Sequence, residues 1–130
     1  MRNTKRIVAA FLISLVLGKA DVIDSKINEL KHNADIHFQL GNEAIVVQFY
    51  KQIIHLQEKH YGSNNVELAI STNKLGEILF GMGELEMARM HFDKSIQIYE
   101  NLILDNQKFL LFSLENIKNI YKIEEHNDLV

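Results

Sequence analysis

The chain has 130 residues, 47% of them apolar, with no proline, six glycines and no cysteine. That length is one domain, and that apolar share is enough for a packed core and too high for a disordered chain. The lack of proline suits long helices better than an all-β fold with its many turns, and the lack of cysteine excludes disulfides, thiolate metal sites and a cysteine nucleophile.

The first element is an N-terminal stretch with the order of a secretory leader. Met1–Arg6 holds Arg2, Lys5 and Arg6 and no acid, Ile7–Leu17 is apolar apart from Ser14, and small residues stand at Gly18 and Ala20. Residues 1–20 are therefore expected to be a signal peptide cleaved after Ala20, with a mature domain over 21–130 that is secreted or periplasmic. The 11-residue apolar run is short of the roughly 20 residues that span a bilayer. An uncleaved membrane anchor is the alternative. These twenty residues hold four of the 14 basic groups and none of the 17 acids. The remaining 10 basic and 17 acidic residues give residues 21–130 a net charge of −7. Such a charge repels phosphate backbones, so no nucleic-acid partner is expected.

Helical spacing of apolar residues then predicts a helix over about 23–40, a break at Gly41-Asn42, and a helix over about 43–61. A third follows over about 66–80, with Leu68, Leu75, Ile78 and Leu79 on one face, then a break at Gly81-Met82-Gly83. A fourth runs over about 84–104 with Leu85, Ala88, Phe92, Ile96 and Tyr99, and a further helix is expected from about 108 to 124. Shifting the chain on itself by 42 residues pairs Gly41 with Gly83, Tyr50 with Phe92, Ala34 with Gly76, Leu75 with Ile117 and Leu79 with Tyr121. A glycine, an aromatic and a small residue kept in one frame indicate an internal repeat of a helix pair. Gly76 and Ala88 are expected where paired helices cross, with Phe92 and Tyr50 filling the space between neighbouring pairs.

Thr72, Leu75-Gly76 and Leu79, followed by Ala88 and Phe92, resemble the tetratricopeptide (TPR) pattern W-x2-L-G-x2-Y, then A-x3-F. The 42-residue period and the stretch Phe49–Gly62 are similar to the kinesin-light-chain type of that family. The resemblance implies an all-α fold, a right-handed superhelix of antiparallel helix pairs with about two and a half repeats. It also implies a scaffold for a protein or peptide partner, bound along the concave face of each pair's first helix. On matching slots this face carries Asn73, Lys74, Glu77, Asn116 and Asn119, with Asp35 in the first unit. An asparagine amide both donates and accepts, as pairing with an extended peptide backbone requires. Two alternatives are a structural subunit of a homo-oligomer and a degenerate repeat remnant without a dedicated ligand. Weak self-association is expected through the C-terminal helix, whose Ile117, Ile120 and Tyr121 have no following helix to cover them.

Neither an enzyme nor a metal or cofactor site is expected. His55 and His60, like His32 and His37, are five apart and so lie on different faces of a helix. No histidine pair has the four-residue spacing of a helical zinc site, and no phosphate loop, nucleophile elbow or nucleotide fingerprint is present. Glu84 and Glu86 are explained by a helix N-terminus, where carboxylates complement the macrodipole.

Overall fold

In the computed structural model, the backbone is described over residues 2–128, and the side chains at 2, 109, 110, 112, 113, 116, 120, 123, 124, 127 and 128 fall outside the description. Four helices follow one another: α1 Arg2–Gln39, α2 Glu43–Tyr61, α3 Val66–Gly81 and α4 Leu85–Asp128, with no strand among the described residues. Among the described residues, the backbone of each helix packs closely only on its neighbours in sequence. This is the all-α, TPR-like architecture expected from the repeat.

The two helix-pair turns are built alike. Gly41 and Gly83 both take the left-handed conformation, at φ 73° and 82°, which a side chain would oppose. Around the first, Gly41 N–H donates to Phe38 C=O at 3.0 Å and Asn42 N–H to His37 C=O at 2.9 Å. Around the second, Gly83 N–H donates to Phe80 C=O at 3.0 Å and Glu84 N–H to Leu79 C=O at 2.9 Å. The same two bonds thus recur 42 residues on, satisfying carbonyls that a helix end leaves free. The connection between the pairs differs. Gly62 (φ 84°) closes α2, and the Asn65 side chain caps α3 by accepting from the N–H groups of Glu67 at 2.7 Å and Leu68 at 3.3 Å.

The core lies where α1, α2 and α3 meet: Ile27, Leu30 and Ala34 against Val46, Tyr50 and Ile53, then Leu75, Ile78 and Leu79. Gly76 is the close contact of the second pair. A Cβ there would fall 2.7 Å from Cε1 of Phe92. Phe92 therefore packs on Gly76 within the α3–α4 pair, and it also lies against the core in which the two pairs meet. Tyr50 bridges pairs too, since it belongs to the core that α2 shares with α3.

Two long helices depart from the expected boundaries. α1 runs without a break through the leader-like stretch, where Ile7, Phe11, Leu12 and Leu17 are exposed. No helix among the described residues is long and apolar enough to cross a membrane. At the other end, the separate helix expected from about residue 108 is the continuation of α4. The reason is local. Leu104 and Gln107 stand where Gly62 and Asn65 would recur, so neither a left-handed stop nor a cap is available and the helix propagates.

A candidate peptide-binding cleft

On α3, Asn73, Lys74 and Glu77 share one face because they are three and four residues apart. Asn73 Nδ2 donates to Glu77 Oε1 at 3.0 Å, and Lys74 Nζ lies 3.3 Å from Glu77 Oε2. These bonds hold the three side chains as one polar strip. Across from it, Lys31 of α1 reaches Glu67 of α3 at 3.6 Å. The two first helices are thus linked by an ion pair although their backbones do not pack. Between them Tyr50 rises from α2. Lys31, Tyr50, Ile70, Ser71, Asn73, Lys74 and Glu77 line a cleft of about 390 Å³.

The floor is buried and the walls are wet. Tyr50 and Ser71 are 9% and 2% exposed, while Lys74 and Glu77 face solvent. Burial pushes the Tyr50 phenol above its ordinary pKa, and the Asp35 and Glu77 carboxylates push it further. The phenol stays protonated and can donate a hydrogen bond. Donors are thus supplied by the phenol, the Ser71 hydroxyl and the lysines, and acceptors by Glu77 and the Asn73 amide oxygen. On α3 both roles lie within about one helical turn, from Asn73 to Glu77, which suits a backbone that alternates C=O and N–H.

The structure brings three of the five expected site residues, Asn73, Lys74 and Glu77, to this cleft and separates the other two. Asn101 on α4 still reaches Asn64 in the α2–α3 loop, at 3.4 Å. Asn119, exposed on the continuation of α4, is then about 27 Å further along the helix axis at 1.5 Å per residue. Asn116 lies on the same continuation, and its side chain is outside the described residues. Within a single chain neither belongs to the cleft, because the turn that would return them beside α3 is missing. Conversely, Lys31, Tyr50 and Ser71 were not among the expected site residues. The repeat offset carries the signal for the first, since Lys31 stands 42 residues before Asn73.

A larger hollow of about 730 Å³ lies between α1 and the end of α2, lined by Phe11, Leu15, Val22, Ile23 and His60 among others. It is formed mostly by the leader-like stretch. Among the described residues no three histidine or carboxylate side chains are grouped to hold a metal ion.

No curated protein matches this sequence. The family model for the tetratricopeptide repeat matches residues 27–126, most of the chain and both helix pairs with their connecting turns. TPR domains are typically non-catalytic scaffolds that bind other proteins. The chain belongs to the tetratricopeptide-repeat family.

Proposed function

We propose that this protein is an exported scaffold that binds an extended segment of a partner protein across α1 and α3. The observation that carries the reading is the cleft itself, where Lys31, Tyr50, Ser71, Asn73, Lys74 and Glu77 converge from three helices. The stretch Phe49–Gly62 and the 42-residue offset further favour the kinesin-light-chain type of repeat. Export is supported by residues 1–20, and by the fold's independence of them: packing on α2 begins in earnest at Ile23 and Ile27. N-terminal sequencing of the exported protein should start at Asp21. An intact Met1 in a membrane fraction would instead make the segment an anchor.

Binding is tested with peptides selected from a displayed library on the purified protein. Tyr50→Phe with Asn73→Ala removes two hydrogen-bonding groups. At about 0.5–1.5 kcal/mol each, this should weaken binding about 5- to 100-fold. Gln52→Ala, on the exposed side of α2, should leave it unchanged. Equal affinity of the cleft variant and wild type, with helicity intact, would remove the cleft from consideration.

A further inference from the structure

We propose that two copies of this chain exchange their C-terminal helical segments, each supplying the first helix of the other's third repeat. The observation is a matched pair of faces, buried in one repeat and bare in the next. On α3, Ala69, Thr72, Leu75 and Leu79 are at most 3% exposed. The residues 42 positions later are Leu111, Leu114, Ile117 and Tyr121, and all four are at least 50% exposed. The receiving face shows the same contrast. Gln57 on α2 is 1% exposed, and Ile54 packs against the Leu68–Ala69 cluster. Their counterparts on α4, Tyr99 and Ile96, are 40% and 54% exposed.

The chain thus carries both halves of a second α2–α3-type interface. It cannot close them on itself, because α4 has no stop at Leu104–Gln107. A second copy can. The α2–α3 pair is antiparallel about the loop Gly62–Asn65, and this centre moved by 42 residues falls at Leu104–Gln107. The midpoint of α4 lies between Asn106 and Gln107. Two antiparallel α4 helices in repeat register therefore overlap along nearly their whole length, about 66 Å at 1.5 Å per residue. One twofold axis near residue 106 buries both faces of both chains at once, the closed form expected of an isologous dimer. It also gives the free part of α4 a partner, which a lone helix of that length in water lacks. A further consequence depends on the cleft reading above, while the dimer does not: the partner's Asn119 comes beside α3 in the slot equivalent to Glu77.

Mass is measured by sedimentation over a concentration series, with circular dichroism for helicity. Wild type should weigh twice the 15.1 kDa chain, less any cleaved leader. Replacing the hinge by the first repeat's own turn, Leu104→Gly with Asp105→Ser and Gln107→Asn, should give a helical monomer. Should that variant lose its helicity, Tyr99→Lys and Tyr121→Lys decide, each weakening the dimer about tenfold or more. The chain has no cysteine, so orientation can be read directly. Asn106→Cys should cross-link two chains on oxidation, and Glu125→Cys should not. A monomeric wild type at every concentration, a dimer insensitive to both tyrosine changes, or cross-linking at Glu125→Cys alone would overturn the exchange. A dimeric wild type that binds no peptide, or whose binding the cleft variant leaves unchanged, would count against the cleft only.

Discussion

At Gly76 the absence of a side chain is structural, and its cost can be measured. A leucine would drive its Cβ into the ring of Phe92, since the Cβ position is already 2.7 Å from that ring. Gly76→Leu should therefore lower stability by about 2–4 kcal/mol, the upper range for overpacking at a tight crossing. On a domain of this size that is a fall in Tm of about 10 °C, readable by thermal melting. A change within a degree would mean the crossing relaxes freely. His91 gives the second prediction at this scale. Its imidazolium is disfavoured first by burial, then by Lys94 and Lys51, so its folded pKa lies below the ordinary value. The unfolded chain then binds more protons as pH falls below neutrality, and this contribution to stability, full above the unfolded pKa, is lost on acidification. His91→Gln should flatten the drop in Tm between pH 7 and pH 5; an unchanged slope would assign the acid sensitivity elsewhere. Gly76 was legible in the sequence because its place in the Leu75-Gly76 motif fixes its role. Tyr50 and Ser71 were less so, since a tyrosine on a helix's apolar face reads as core, and only the fold shows that it also floors a cleft.

Among the elements, the helix ends that a single residue dictates were the most legible. Gly41 and Gly83 stop helices because no other residue takes a left-handed φ so cheaply, and both stops are where the spacing put them. The start of α3 depends on Asn65, whose side chain holds two N–H groups. Asn65→Ala should cost about 1 kcal/mol and quicken amide exchange at Glu67 and Leu68 before elsewhere. Uniform loss of protection along all four helices would mean the cap is not a local device. α4 runs past the end that periodicity assigns it, for a definite reason. Apolar periodicity resumes after Gln107, and the repeat offset matches Leu75 with Ile117, so a new helix was the natural reading. Periodicity reports which face is apolar and says nothing of where the backbone turns. The turn needs its own residue types, and Leu104 and Gln107 are not those types.

For the whole molecule, backbone packing between helices adjacent in sequence sets the character of the fold. The family and its helix-pair order could be read from the chain because they follow from local patterns repeated at one offset. The binding face was read in part. Asn73, Lys74 and Glu77 lie together because one helix carries them, whereas Asn116 and Asn119 reach that face only if the chain turns back or a second copy supplies them. Among the described residues, no helix on one edge is tied to a helix on the other through backbone packing. The loop Gly62–Asn65 is then the sole covalent link between two helix pairs, each carrying its own crossing. A nick in that loop leaves α1–α2 and α3–α4 as separate pieces, still able to recognise each other through Val46, Tyr50 and Ile53 on one side and Leu75, Ile78 and Leu79 on the other. Mixed together, the two pieces should reassemble, and the strength of that reassembly would read out the inter-repeat contact free of chain connectivity.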